Sequence, residues 1–372
     1  MENNSVVSGF LDQLIQKRIA FASWFYPKES RMGLIIGDAS DVMFFDRFDR
    51  LNGEAGFVFA PYRITGKSPV ILLKPKVYFE DFPADDGLDI NSFEPFDTND
   101  EAEICTVQSK DEYLKLIQET ISSICEGALS KVIISRQIPV KRTDTSLGGT
   151  FLQLHDQTPN AFAYLVNLPV AGIWMGATPE VLIKSDGNRF ETVSLAGTQV
   201  RKPVTDDYYW STKDIEEQAF VSRYMLDVFF NFDIHQYKTT GPETLESGKV
   251  AHLKTSFFFP VEKIEKCLGN FIADLHPTPA VCGLPKDLAA EFILKNEVYE
   301  RKYYTGYLGP WRLNRQVALF VNLRCMEITS KEFILYAGGG ITSHSVPEKE
   351  WEETNQKANT LLSVIDPERK YQ

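Results

Sequence analysis

The stretch that most constrains the fold is residues 320–357, FVNLRCMEITSKEFILYAGGGITSHSVPEKEWEETNQK. Phe320–Leu323 is an apolar run with Arg324 at its exit. Phe333–Ala337 is a second such run, read as the partner strand of the first, and Gly338, Gly339 and Gly340 follow at once. Three successive glycines carry no Cβ, so their backbone N–H groups can approach an anion closely. An arginine beside them offers a planar fork matched to a carboxylate. Pro347 and Glu348 then open a helix on which Glu350 and Glu353, three apart, share a face, with Lys357 one turn further on. Anion receptor and carboxylate pair together predict a site for an acidic small molecule held with a divalent cation.

The rest of the chain supplies the scaffold. Phe10, Leu11, Leu14, Ile15 and Ile19 predict a helix over 8–20. VMFFDRF, GFVFAPY and VILLKPK are short strand-like pieces separated by Gly, Asp or Pro. Residues 81–103, DFPADDGLDINSFEPFDTNDEAE, are acidic and proline-dotted and read as a solvated loop after an N-terminal part. Tyr113, Leu114, Ile117, Ile121 and Ile124 form a helical stripe that closes near Gly127. KVIISRQIPV is a strand with Lys131, Ile133 and Ser135 on one face and Val132, Ile134 and Arg136 on the other. AFAYLVNL and AGIWMGATPEVLIKSDGNRFETVSLAGT are successive strands, with SDGN a hairpin signal. Ile215, Ala219, Val221, Tyr224, Met225 and Val228 predict a helix over 212–230, and LAAEFILKNE is another. Strands come in runs without strict βαβ alternation, which predicts an α+β fold of antiparallel or mixed sheets.

At 372 residues the chain can bury a full core as one large domain or two modest ones. Its net charge of −12 argues against nucleic acid or an anionic membrane as partner. An acidic protein that takes an acidic ligand must gather positive charge locally or use a metal. Cys105, Cys125, Cys267, Cys282 and Cys325 are scattered, odd in number and without CxxC spacing. That pattern argues against a disulfide framework or zinc site and fits a reducing cytoplasm. The first residues lack a basic segment followed by an apolar core, so no signal peptide is expected, and no run of 18 apolar residues is present.

Each candidate for chemistry has an ordinary reading beside the functional one. Lys131 opens a strand and can simply snorkel at a sheet edge. As a general base it would need burial or a nearby cation to lower a reference pKa of about 10.4. Glu180 follows Thr178–Pro179 and precedes Val181–Leu182. It is either a turn carboxylate facing water or a half-buried acid with a raised pKa, suited to donate a proton. Leu195–Ala196–Gly197–Thr198 is a small-residue turn able to offer N–H groups and a hydroxyl to an anion. Asp214 and Glu217 repeat the three-residue spacing of Glu350 and Glu353. One such pair is a solvated helix face; two pairs that converge could give oxygen ligands to one Mg2+, and would repel without it. His276, in LHPTPAVCG, reads as structural. No HExxH, GxSxG, Walker or GxGxxG motif is present.

In their order along the chain, KVIISR, GATPE, LAGT, KDxxE, LHPTPAVCG, YYTGYLG, LRC, AGGGI and EWEETNQK resemble the successive signatures of the chorismate-utilising enzymes. That family includes isochorismate, anthranilate, aminodeoxychorismate and salicylate synthases. The resemblance covers the catalytic signature region 110–365, while residues 1–103 match only loosely. It implies one α+β domain over 1–372, like anthranilate synthase component I, with two packed sheets and helices outside. It also implies a chemistry in which a nucleophile adds at C2 of chorismate and the C4 hydroxyl departs, assisted by Mg2+. Lys131 would activate water and Glu180 would protonate the leaving hydroxyl. Glu217 and Glu353 would ligate Mg2+, with Asp214 and Glu350 holding its waters. Tyr304, Arg324 and the backbone of Gly338, Gly339 and Gly340 would hold the enolpyruvyl carboxylate. Gly197, Thr198 and Lys357 would line the ring-carboxylate side.

Lys131, and Ala280 where anthranilate synthases commonly carry threonine, point to the isochorismate-forming branch, expected to serve menaquinone synthesis. Salicylate synthase or a siderophore-pathway enzyme is the alternative, ahead of an amine-adding subunit or a non-catalytic binder. Gln218 departs from the histidine that often follows the Mg2+ glutamate in this family. The expectation is a cytoplasmic monomer with chorismate as substrate, without a glutaminase, nucleic-acid or membrane partner.

Overall fold

Runs of β-branched and aromatic residues pair into two nine-stranded sheets in which every neighbouring pair is antiparallel. The computed structural model describes residues 2–83, 87–97, 105, 107–200, 207–247 and 250–369. In chain order the elements begin α1 (Glu2–Gln16), β1 (Ala20–Phe25), β2 (Met32–Gly37), β3 (Val42–Phe45), β4 (Gly56–Ala60), β5 (Val70–Leu73) and β6 (Val77–Phe79). Next come α2 (Lys110–Cys125), β7 (Lys131–Lys141), α3 (Leu147–Gln157), β8 (Phe162–Leu168), β9 (Gly172–Thr178), β10 (Val181–Ser185) and β11 (Arg189–Val200). Then follow α4 (Thr212–Asn231), β12 (Lys238–Ser247), β13 (Val250–Pro260), α5 (Leu268–Leu275), β14 (Gly283–Leu284) and α6 (Lys286–Asn296). The last are β15 (Tyr307–Leu313), β16 (Gln316–Val321), β17 (Cys325–Ile328), β18 (Glu332–Ile341) and α7 (Pro347–Ile365). The first sheet runs β14-β7-β18-β17-β9-β8-β1-β2-β6, the second β12-β13-β11-β10-β16-β15-β4-β5-β3.

The two sheets face each other across an aromatic layer that includes Trp24, Phe57, Phe59, Tyr164, Trp174, Tyr303 and Phe320. Trp24 packs on Phe57 at 5.2 Å and Phe162 on Phe320 at 4.1 Å, so strands of both sheets interdigitate. Outside the first sheet, α1, α3 and α7 bury Leu11, Leu14, Phe151, Leu361 and Leu362 against Leu165, Met175 and Leu335. Outside the second, α4 and α5 bury Met225, Phe229, Phe271 and Ile272 against Phe257, Phe259 and Leu319. Each sheet therefore has a helix layer on one face and the other sheet on its second. Residues 20–79 give three strands to each sheet, so the loosely matching N-terminal part shares the same core.

The site is positioned by one topological detail. β9 and β17 pair in the first sheet, with Cys325 opposite Gly176, while β10 and β16 pair in the second, with Val181 opposite Phe320. Only Pro179 and Glu180 separate β9 from β10, and only Asn322, Leu323 and Arg324 separate β16 from β17. Two neighbouring strands thus pass from sheet to sheet side by side. The passage is stitched by Val321 N–H to Glu180 O (2.9 Å), Ala177 N–H to Arg324 O (3.1 Å) and Thr178 Oγ1–H to Val321 O (2.6 Å).

Several expectations need correction. Phe320–Leu323 and Phe333–Ala337 are not partners: the first belongs mostly to β16 in the second sheet, and β18 pairs with β17 and β7 in the first. The handover at Asn322–Arg324 makes one apolar run end in a different layer from the next. The N-terminal helix stops at Gln16, since Ile19 already leads into β1. Residues 87–97 are not merely a solvated loop, because Ile90, Phe93 and Phe96, with Phe82 before them, are buried in the core. Parts of 81–103 lie outside the described residues. In α4, Ile215 is 52% exposed and Gln218 faces inward at 3%, so the first turns bury their polar side. The SDGN hairpin is as expected, with Lys184 opposite Glu191 and Ser185 opposite Phe190. All five cysteines are free, and no helix among the described residues is long and apolar enough to cross a membrane.

Candidate active site

A cavity of about 410 Å³ opens where the two strands change sheets. Lys131 reaches it from β7, Glu180 and Arg324 from the paired crossings, and Tyr304 from the turn before β15. Gly197 arrives from β11, Asp214 and Glu217 from α4, Ala280 from the segment after α5, and Glu350, Glu353 and Lys357 from α7. Every site residue predicted from sequence lines this cavity except Thr198, whose side chain lies outside the described residues.

Gly338, Gly339 and Gly340 form the last part of β18, paired with Ser135, Ile134 and Ile133 of β7, whereas Leu195–Ala196–Gly197–Thr198, expected as a turn, lies within β11 at a register shift against β13. The structural value of the three glycines is the space they leave. A Cβ at Gly338 would stand 3.0 Å from Tyr304 Oη, at Gly339 3.0 Å from Glu350 Oε2, and at Gly340 2.7 Å from Lys131 Cε. Because strand residues alternate in direction, the acids of α7 approach one face of β18 and Lys131 the other. The bare strand end lets both enter one cavity. Gly340→Ala is therefore expected to fold normally, since only side-chain ends, of Lys131 and to a lesser extent Ile133, must move, yet to lose about tenfold or more in kcat. Unchanged turnover in that variant would show that the room at Gly340 is not needed.

Charge pairing organises the walls. Lys131 Nζ donates to Glu217 Oε1 at 2.5 Å, and Lys357 Nζ meets Glu353 Oε1 and Gly338 O at 2.6 Å each. Asp214 caps its own helix, accepting from Ser211 N–H and Oγ–H at 3.1 and 2.6 Å. Burial pushes the Glu180 carboxyl up to about 7 although Lys131, Lys357 and Arg324 all pull it down. One edge of that side chain still touches the cavity. Burial would also raise Glu353, but Lys357, Arg324 and His252 hold it below the ordinary carboxylate value. Arg324 adopts φ of 49°, a left-handed conformation that a non-glycine residue keeps only when its surroundings enforce it.

Among the described residues no three His, Cys, Asp or Glu side chains are gathered to hold a metal ion. Glu217 and Glu353 are held by lysines, whose ammonium groups supply the positive charge that buried carboxylates require. The donor set is nevertheless all oxygen, with Glu350 and Glu353 carboxylates converging beside Gly339. Such a set suits a hard cation that keeps some of its waters.

Sequence reasoning missed His252 on β13. Its Nδ1 lies 3.0 Å from Gly197 O, it lines the cavity, and burial lowers its pKa. The apolar run HLKTSFFF was the available signal, but its pairing with β11 is a tertiary fact. His276 is structural as expected: its Nε2 sits 3.2 and 3.1 Å from Pro61 O and Tyr62 O, and burial pushes it down to about 4.

The family model described as "Chorismate binding enzyme" matches residues 88–366. The vibriobactin-specific isochorismate synthase of Vibrio cholerae is 28% identical over 275 residues, 72% of this chain and 70% of that protein. Isochorismate synthase EntC of Escherichia coli is 31% identical over 246 residues, 64% of this chain and 62%, less than two thirds, of EntC. In fold, the chain is similar to MenF, the menaquinone-specific isochorismate synthase from Escherichia coli. Its TM-score is 0.74 at 21% identity, over 96% of this chain and 91% of that one.

Proposed function

Because the chain belongs to the chorismate-binding enzyme family, we propose that it is an isochorismate synthase, an isomerase that adds water at C2 of chorismate and releases the C4 hydroxyl. The observation that carries this reading is Glu180, a carboxyl that burial raises to about 7, with Lys131 the cation acting on it most strongly. A carboxyl in that range still holds a proton to give near neutrality. Lys131 in its neutral amine form, the ammonium form being the one paired with Glu217 in this structure, takes a proton from the attacking water as the C2–O bond forms and the ring double bond shifts. Glu180 gives a proton to the hydroxyl as the C4–O bond breaks, so one proton enters and one leaves the protein. Arg324 and Tyr304 hold one substrate carboxylate, at the wall where the arginine and the tyrosine lie close enough to interact.

Mg2+ held by Glu217 and Glu353, with Asp214 and Glu350 beside them, would neutralise and orient the ring carboxylate. Both acids are paired with lysines in this structure, and they are the residues that would hold the ion. Glu353→Ala is accordingly expected to abolish metal-dependent chorismate binding, read by calorimetric titration with magnesium. An unaltered magnesium titration would remove Glu353 from the ligand set.

The deciding experiment is a chorismate assay with and without Mg2+, its products separated by chromatography. Isochorismate is the expected product. Salicylate would mean that pyruvate elimination follows, an ammonium-dependent aromatic product would mean amine addition, and no consumption by folded protein would mean a binder. We assign the product to menaquinone synthesis, which requires that deleting the gene deplete menaquinone; loss of a siderophore instead would transfer the assignment.

A further inference from the structure

Asn322 lies in the crossing between β16 and β17, two residues before Arg324, and is 0% exposed. Four hydrogen bonds tie it to β8 and to the turn before β15. Its carboxamide Nδ2 donates to Tyr303 O at 2.9 Å, and its Oδ1 accepts from Tyr164 Oη–H at 2.6 Å. Its backbone N–H donates to Gly306 O at 2.8 Å, and its carbonyl accepts from Thr305 N–H at 2.9 Å. Three of these bonds clamp the turn that carries Tyr304, and the fourth ties the crossing to β8.

Two residues flanking this clamp are in the left-handed region, Thr305 at φ of 59° and Arg324 at 49°. Neither is glycine, so the conformation persists only through what holds it. Arg324 gains little direction from its own head group, whose described hydrogen bond runs from Nη1 to Lys357 O at 3.5 Å. Its aim into the cavity comes from the backbone. A carboxamide suits position 322 because a carbonyl on one side requires a donor while the Tyr164 hydroxyl is met by an acceptor.

We infer that Asn322 is a positioning residue: it sets Tyr304 and Arg324 at a fixed separation so that both grip the same substrate carboxylate. This rests on the proposed reading of those two residues as carboxylate holders.

The test is the double variant Asn322→Ala, Tyr164→Phe, which removes both partners and leaves no orphaned buried hydroxyl, alongside Asn322→Leu, which removes the donor and the acceptor at nearly constant volume. The KM for chorismate should rise about tenfold or more in both, as for a weakened charge-assisted contact. The half-saturating Mg2+ concentration should stay within about twofold, because the acids of α4 and α7 are not part of the clamp. A crystal structure of the double variant should show Arg324 or Tyr304 displaced. A variant that melts earlier but keeps the chorismate KM, or a crystal structure with both side chains in place, would overturn the inference. Failure of the functional reading is distinct: the unmodified protein would then not consume chorismate, and the crystal structure alone would decide whether Asn322 sets the two side chains.

Discussion

Lys131→Ala is expected to lower kcat for water addition by about 10²- to 10⁴-fold, the usual worth of a positioned base. Binding should survive. Arg324, Tyr304 and the acids of α4 and α7 belong to other elements, and none depends on the Lys131 backbone. Removing the ammonium deprives Glu217 of its partner at 2.5 Å, so affinity for Mg2+ should hold or increase. Both quantities are measurable on one sample: kcat by product formation, and chorismate binding by titration in the presence of Mg2+. Substantial hydroxylation by folded Lys131→Ala protein would refute the base assignment.

Glu180→Gln is expected to cost a comparable factor in kcat and to change the pH profile. With a carboxyl at about 7, the fraction of enzyme able to donate a proton falls as pH rises through that value. Wild-type activity should therefore decline on the alkaline side of neutrality, and the residual activity of the variant should not. Stability follows from the same proton. The folded-state pKa is raised above the ordinary 4.5, so between 4.5 and about 7 the unfolded chain has lost a proton that the folded chain retains. Stability is fully present below the lower value and declines as pH rises to the upper one, by about 1.4 kcal/mol per unit and at most ~3 kcal/mol in all. Contact of the side chain with cavity water makes that an upper bound. Glu180→Gln should thus be more resistant to urea than wild type at about pH 8, while being nearly inactive. Equal resistance and an unchanged alkaline limb would show that the carboxyl is not held protonated.

The elements that were legible in the sequence are those whose signal is local. Tyr113 to Ile124 repeat at helical spacing, Pro347 opens α7, and SDGN closes a hairpin, each within a window the chain itself defines. The crossings were not legible. Two or three residues between apolar runs look like an ordinary turn, and nothing local says that the strands on either side belong to different sheets. For that reason Phe333–Ala337 was assigned the wrong partner. The inner face of α4 was misread because Gln218 and Ser222 bond to Ser194 across the sheet at 2.8 and 2.9 Å, while Ile215 and Phe220 face outward. Hydrophobic periodicity assumes the opposite. The residues named for the site, Thr198 apart, meet in one cavity, since the ordered motifs carry residue identities directly. His252 was lost because it belongs to none of them.

The paired crossing also limits how this molecule can drift. Glu180 and Arg324 are embedded in two strands that are laddered together on both sides of the gap. Neither residue can shift without shearing pairs in two layers at once. The acids of α4 and α7 carry no such burden, because helices are not laddered into either sheet. Change at the site should therefore accumulate on α4, α7 and the Lys131 end of β7, leaving the strand exchange as its frozen component.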